Sequence, residues 1–455
     1  MSVGAWEVAS RATTGTLVNT GTARSVWTTQ GPTAWPSPPT LMSYTALRDI
    51  ETCPLRWALR QGEYGHIWTS RGYPPAPAGA TIAGHIVHVA LERIVHAVGA
   101  ARDELRSAHD AANVDPMVLM VSALRSLGGI SVVLDNAARE TIRGWESNPR
   151  LWPRAKELAT ELQRQVPVLR PRVQQFLNRV DLSRLRPRRE PTASNVSVGE
   201  GGLVRPLAPG LYAEVPLVSE ELGWYGKADL LRVTGENEEA GDAILEFKTG
   251  LPKPDHAFQL RIYALLWARD ATRNPAQRRV RKLTVLYGGG AVEVPAPCSD
   301  NDLEGVAQEL GERRAQARAA VQQSPPVPRP SCEACEWCEV RQLCPAYWAP
   351  ATRASMASAA DPLHRIDVGV QVLHQQGAWS WVARVREVGA LSDAITEGAR
   401  VLLRAQSHDE HFGSLIGAGT QVRIVGAQLV ASSGESGGLP VLSLTRATEA
   451  FVIQQ

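Results

Sequence analysis

The sequence predicts an α/β core, entered through a long helical stretch and followed by a small all-β module. Three observations lead there. Apolar residues recur at helical spacing from Ser43 onward. Near residue 210 the pattern changes to short alternating runs broken by one helical segment. Beyond about residue 360 alternation takes over, with five strand-like runs in the rest of the chain.

Residues 1–40, rich in Thr, Ser, Gly and Pro, read as a flexible N-terminal tail ending in Pro32-Thr-Ala-Trp-Pro-Ser-Pro-Pro39. Helical spacing starts near Ser43, resumes from Thr81 through Val98 and continues over 101–180, broken at Gly128-Gly129 and by Pro149 and Pro153. Arg184, Arg186, Arg188 and Arg189 form a basic connection. Leu211–Val218, Gly226–Val233 and Ala243–Lys248 read as strands, His256–Arg269 as a helix, and Lys282–Tyr287 as a strand turning at Gly288-Gly289-Gly290. Residues 303–323 look helical and lead through a Pro-rich stretch into a cysteine cluster at 332–344. The C-terminal strands are Arg365–Leu373, Trp379–Val388, Ala399–Ala405, Gln421–Val430 and Pro440–Thr445, with a short helix at Asp409–Leu415. That arrangement suits an OB-like barrel over 360–455, with an SH3-like barrel or small sandwich as competitors.

At 455 residues, 44% hydrophobic and 21% charged, the chain is a globular protein of two to three domains. A net charge of +2 gives no global basic field, so any nucleic acid must be met by local patches. Arg278, Arg279, Arg281 and Lys282 form one such patch. No apolar run is long enough to span a membrane, and the N-terminal stretch lacks a signal-peptide core. The expectation is a cytoplasmic protein without a membrane partner.

The most informative segment is Gly226-Lys-Ala-Asp-Leu230 followed by Ile244-Leu-Glu-Phe-Lys-Thr-Gly250. Strand alternation places Glu246 and Lys248 on one face and turns Phe247 into the core. Asp229, Glu246 and the main-chain carbonyl of Phe247 offer hard oxygen donors suited to Mg²⁺ or Mn²⁺. Lys248 would hold an attacking water or neutralise charge on a phosphate. Lysine occurs only at 156, 227, 248, 253 and 282, and the other 43 basic residues are arginine. Two lysines here therefore suggest a need for a compact ammonium. The plainer reading makes Asp229 a strand-end residue and Glu246–Lys248 a surface pair.

The surrounding motifs decide between these. Ser43-Tyr-Thr-Ala-Leu-Arg-Asp-Ile-Glu-Thr-Cys-Pro-Leu-Arg56, Gly84-His-Ile-Val-His88-Val-Ala-Leu-Glu92, Glu214 in Ala-Glu-Val-Pro-Leu217, and Gln259-Leu-Arg-Ile-Tyr263 stand in order around the acidic pair. Together they resemble the RecB-like branch of the PD-(D/E)xK nucleases, the group containing AddB and the small CRISPR-associated exonucleases. The resemblance runs from about 43 to 348. It implies a restriction-endonuclease-like α/β domain over 41–350, with a helical insert at about 101–190. It further implies His88 as a third metal ligand, with His85 structural or solvated. Gln259 and Tyr263 touch DNA or support the site, Lys227 reaches a phosphate or stays solvated, and Glu214 fills an acidic first-strand position.

Cys332-x2-Cys335-x2-Cys338-x5-Cys344-Pro345 is a strong metal signal, and spacing alone leaves Zn²⁺ and an iron–sulfur cluster both open. The resemblance implies a [4Fe–4S] cluster held by Cys53, Cys335, Cys338 and Cys344. Cys332 is surplus, and a structural Zn²⁺ knot using it in place of Cys53 is the alternative. Cys298 is expected to be an ordinary buried cysteine. Joining Cys53 to Cys335 would close a very long loop, a restraint of roughly 5–6 kcal/mol by chain entropy.

The expected function is a metal-dependent deoxyribonuclease, exonucleolytic on single-stranded ends, serving repair, recombination or defence against foreign DNA. A DNA-binding subunit with latent nuclease activity is the alternative. The helical insert reads either as a wall over the strand path or as a solvated helix face. Trp379, Trp381 and Arg384 share a barrel strand and offer a stacking platform for single-stranded DNA, with burial in the barrel core as the competing reading. The chain has no P-loop, so ATP-driven strand separation falls to a helicase partner.

Overall fold

The computed structural model describes residues 27–76, 79–108, 115–151, 155–180, 206–235, 241–356, 365–392, 394–405, 410–430, 438–445 and 447–453. The central element is a five-stranded sheet of β1 (Gly210–Ser219), β2 (Trp224–Val233), β3 (Asp242–Lys248), β4 (Val280–Tyr287) and β5 (Gly290–Val294), in that spatial order. Only β3 and β4 run parallel, joined by the crossover helix α7 (Pro254–Ala268). The strand β5 lies where only a glycine turn was expected, because its residues are mostly exposed and lack an apolar alternation.

Helices cover both faces. On one side lie α1 (Tyr44–Thr52), α2 (Pro54–Gln61), α7 and α8 (Asp300–Ala320), burying Met42, Leu47, Trp224, Ile244, Leu260 and Trp267. Local chemistry starts these helices where the sequence says. Ser43 accepts the Ala46 N–H at the head of α1, Pro54 opens α2, and Ser299 with Asp302 forms a capping box on α8.

On the other side lie α3 (Gly79–Ala108), α4 (Pro116–Ser126), α5 (Ile130–Trp145) and α6 (Ala155–Leu177). The helical insert is two-sided: Arg125, Arg139, Arg143, Arg164, Arg170 and Arg172 stay exposed, as expected of a solvated helix face, while the opposite face is packed. Its apolar stripe, including Leu134, Val173 and Phe176, packs with Ile86 of α3 and with Phe247 and Leu286 of the sheet, forming a full layer. This packing carries α6 through Pro167 and Pro171, despite the hydrogen bonds those residues cannot donate. The connection bearing Arg184, Arg186, Arg188 and Arg189 lies outside the described residues. Among the described residues no single helix is long and apolar enough to cross a membrane.

After α9 (Cys332–Glu336) and α10 (Pro350–Met356), the C-terminal module comprises β6 (Arg365–Gly377), β7 (Ser380–Val388), β8 (Arg400–Ala405), α11 (Glu410–Leu415), β9 (Gln421–Val430), β10 (Val441–Leu444) and β11 (Glu449–Val452). Pairings run β6–β7–β8–β10–β9 and return to β6, with β8 and β10 parallel, so five strands close a barrel. That closure is compatible with an OB-like fold. A sixth strand, β11, adds to β9 and escaped the sequence reading because it is only four residues long.

The barrel does not stand apart. Its interior is continuous with a cluster containing Cys53, Leu59, Tyr64, Cys335, Cys338 and Tyr347. Residues 27–40 are also not a loose tail. Trp27 is buried against Phe451, Thr29 donates to the Val452 carbonyl, and Thr33 donates to that of Glu63. Residues 1–26 lie outside the described residues.

Buried arginines pin the modules together. Arg150 grips Glu449 with two bonds of 2.6 and 2.7 Å and donates to the carbonyls of Pro74 and Glu339. Arg341 donates to Asp367 at 2.6 Å, and that carboxylate also accepts from the Tyr347 hydroxyl and the Gly426 N–H. Burial alone would raise the Asp367 carboxyl, but Arg341 and these donors outweigh it and hold it below the ordinary range. A lowered folded pKa gives stability that is present above the unfolded value and lost as pH falls through the folded one. Asp367→Ala is expected to cost about 3–5 kcal/mol in urea unfolding by stranding Arg341. The gap to wild type should hold from neutral pH and narrow only below about pH 4.

Candidate active site

The site begins where two strands part. β2 and β3 pair through Arg232↔Ala243, Leu231↔Ile244 and Leu230↔Leu245, then stop one step short of Asp229 and Glu246. Each strand stays bonded to its outer neighbour, β2 to β1 and β3 to β4, so the sheet opens as a fork. The Phe247 N–H, released from ladder pairing, donates to Asp229 Oδ2 at 2.6 Å. A strand presents its N–H and C=O to the same side, so the Phe247 carbonyl also faces the fork. The Phe247 ring packs away from it against Phe176.

Four of the expected side chains meet there. Asp229 and Glu246 are buried, at 9% and 3% exposure. Lys248 Nζ is 2.8 Å from Glu246 Oε1, and His88 Nδ1 on α3 is 3.7 Å from Asp229 Oδ1. Burial, then repulsion from Glu246 and Glu214, holds the Asp229 carboxyl well above its usual range against the pull of Lys248. Burial, followed by the Lys248 charge, pushes His88 down to about 4. Its imidazole is therefore neutral at physiological pH, the form that ligates metals. Burial would lower Lys248, but the Glu246 carboxylate more than compensates and keeps it an ammonium.

Glu214 joins from β1, where pairs on either side place it opposite Asp229. Its φ of 53° is left-handed, a strained conformation for a residue with a Cβ. Its carboxylate lies 2.5 Å from Lys227 Nζ, so Lys227 is an acid's partner whose side chain remains partly exposed. Gln259 and Tyr263 lie behind the site. Gln259 Nε2 donates to Glu246 Oε1 at 2.9 Å and to the Tyr263 hydroxyl at 2.7 Å. Both residues are buried and brace the carboxylate, the supporting one of the two roles expected of them. A Cβ on Gly226 would sit 2.4 Å from the Tyr263 ring, which explains the glycine there. His85 is exposed.

The donor set fits a divalent cation. Glu246 Oε2 is buried without a hydrogen-bond partner among the described residues, a cost of about 1–3 kcal/mol that a cation would relieve. Three carboxylates crowd a pocket whose closest cations are two lysines. Among the described residues, no three His, Cys, Asp or Glu side chains are drawn together tightly enough to grip an ion as they stand. Sequence reading missed the dyad of His256 and Tyr287, joined at 2.7 Å. Tyr287 is the register partner of Lys248 across β4, a proximity that no local motif encodes.

The cysteines converge elsewhere. Cys53, Cys335, Cys338 and Cys344 line one small pocket with Arg56 and Arg341 at its walls, while Cys332 is not among its lining residues. All are free thiols, and burial pushes Cys338 up to about 12 and Cys344 up to about 11. Cys338 and Cys344 therefore stay protonated until a metal displaces the proton. Cys298, expected to be buried, is exposed on the connection after β5. The patch around Arg278 is spent on acids, with Arg278 beside Asp242, Arg279 on Asp300 and Lys282 on Glu293.

Comparison with known proteins fits this geometry. The family model of the PD-(D/E)XK nuclease superfamily matches residues 41–345, and the chain belongs to that superfamily. Membership implies a metal-dependent nuclease that acts on DNA, with Mg²⁺ or Mn²⁺ as the usual ions. No curated protein matches the chain. The solved structure of SSO0001 is 22% identical, with a TM-score of 0.18, and the match covers 30% of this chain and 60% of that one. The matched part is thus less than two thirds of that protein.

If like-charge crowding dominates the site when metal is chelated, Asp229→Asn should melt higher than wild type in chelator at neutral pH. The rise is expected at about 2–4 °C per kcal/mol of repulsion relieved. Mg²⁺ or Mn²⁺ should raise the wild-type melting temperature and leave that of the variant unmoved. Equal melting curves with and without metal would rule out a cation site here.

Proposed function

We propose that the protein is a RecB-like exonuclease that hydrolyses phosphodiesters of single-stranded DNA. The observation that carries this reading is the fork between β2 and β3, with two buried carboxylates, a neutral imidazole and one ammonium around a single opening. Asp229, Glu246, His88 and the Phe247 carbonyl would hold Mg²⁺ or Mn²⁺. Such an ion polarises the phosphoryl oxygens and makes water nucleophilic at neutral pH.

The chain's own groups do the rest. Lys248 orients the water and neutralises charge building on the phosphate. Gln259 locks the Glu246 rotamer, and the Phe247 N–H fixes Asp229, so neither carboxylate must reorganise as the reaction proceeds. Lys227 and Glu214 set the charge on the β1 side. The barrel would present the strand, and separation of duplex ends falls to an ATP-driven partner. The activity suits repair, recombination or defence in the cytoplasm.

The second metal centre of the proposal is a [4Fe–4S] cluster on Cys53, Cys335, Cys338 and Cys344. Support comes from the shared pocket and from Cys332 lying off it. The cluster would clasp α2 to the segment entering the barrel.

Two measurements test these readings. Lys248→Ala is expected to slow Mn²⁺-dependent release of nucleotides from end-labelled single strands by about 10²–10³-fold. Asp229→Ala should abolish cleavage and retain DNA binding, and closed circles should resist. Full activity in either variant sinks the catalytic assignment. Purified protein should be brown and carry iron and sulfide, lost in Cys335→Ser. Colourless protein with stoichiometric zinc would replace the cluster with a structural knot.

A further inference from the structure

We propose that the outer face of β7 and β8 binds single-stranded DNA through its phosphates alone, without a base-stacking platform. This deepens the functional reading above by naming the surface and the way it recognises its ligand. On β7 the inward residues Trp381, Ala383 and Val385 are buried, and on β8 so are Val401, Leu403 and Ala405. The outward positions carry exposed arginines, Arg384 and Arg386 on β7 and Arg400 and Arg404 on β8, flanking the apolar pair of buried Val382 and half-buried Leu402. Register places Arg384 directly opposite Arg400, and Arg404 opposite Ser380. Like charges facing each other across a strand pair destabilise a sheet.

Compensation from acids is missing. Among the described residues, Arg384, Arg400 and Arg404 are in no ion pair, and Arg386 bonds only the neutral Gln371. This sets the stripe apart from the basic patch at 278–282, where Arg278, Arg279 and Lys282 each lie beside an acid. An uncompensated stripe of guanidinium groups suits a polyanion. Adjacent strands lie only about 5 Å apart, so the stripe matches one phosphate backbone better than the two of a duplex across a groove of about 12 Å.

Among the described residues, the aromatic half of the expected platform is turned toward the barrel core. Trp381 is 1% exposed inside the barrel, and Trp379 packs partly buried against the same core. Binding should therefore be steeply salt-dependent and indifferent to base identity, unlike aromatic-lined single-strand sites.

The test uses the full chain in chelator, so it does not depend on cleavage. Fluorescently labelled oligo-dT, a mixed-sequence strand and a duplex are titrated with wild type and with the triple variant Arg384→Gln, Arg400→Gln, Arg404→Gln. Loss of three phosphate contacts should reduce the salt slope by about 2, since each contact on a single strand contributes about 0.7. Between 50 and 200 mM salt, wild-type affinity should then fall roughly 20-fold more than that of the variant. The two strands should bind alike, the duplex more weakly, and the variant should melt no lower than wild type. An unchanged slope, a strong preference among bases, or equal Arg-dependent binding of duplex would overturn the proposal. A changed slope in a protein that never cleaves DNA would sink only the nuclease reading. An unchanged slope in an active nuclease would sink only the stripe.

Discussion

The structure turns on the burial of like charges. Asp229, Glu246 and Glu214 come from three strands and share one low-dielectric opening, where Glu246 and Glu214 raise the cost of ionising Asp229, and Glu246 adds to that of Glu214. No arrangement of apolar neighbours can relieve this, so polar groups are recruited from every side. Lys248 lies on Glu246, Lys227 on Glu214, Gln259 behind Glu246, and a main-chain N–H on Asp229. The parting of β2 from β3 is part of the same solution, since a continued ladder would consume the Phe247 N–H. Folds carry such frustration at sites that bind ions, where a cation supplies what the protein withholds.

A second constraint joins the ends of the chain. The segment around Cys53, the cysteine cluster and the barrel share one interior, and buried ion pairs cross it at Asp367 and Glu449. Buried pairs contribute little net stability, yet breaking one is costly, so they act as alignment pins. The barrel is therefore held in fixed relation to the nuclease sheet. A strand bound on the barrel and a phosphodiester at the fork would be referred to a common frame.

Much of this was legible in order along the chain. The strands carrying Asp229 and Glu246 announced themselves by alternation, and the helix carrying Gln259 and Tyr263 by its spacing, because both patterns reflect local periodicity. What escaped was short or non-local. β11 has four residues, and β5 is mostly exposed, so neither has an apolar signature. The proline-rich run after Trp27 suggested mobility, yet Trp27 finds its partner Phe451 more than 400 residues away.

The sequence by itself determined which chemical groups are present and which local elements carry them, since propensity, capping and alternation act over a few residues. Only the tertiary structure decided which charges are compensated. It set Arg278, Arg279 and Lys282 beside acids and, among the described residues, left Arg384, Arg400 and Arg404 without an ion pair. It gave Gln259 and Tyr263 the supporting one of their two expected roles, drew Trp381 into the core, and brought Cys53 to the pocket of Cys335, Cys338 and Cys344. Coulomb energies and desolvation depend on distance through space, and strand register and helix packing set those distances.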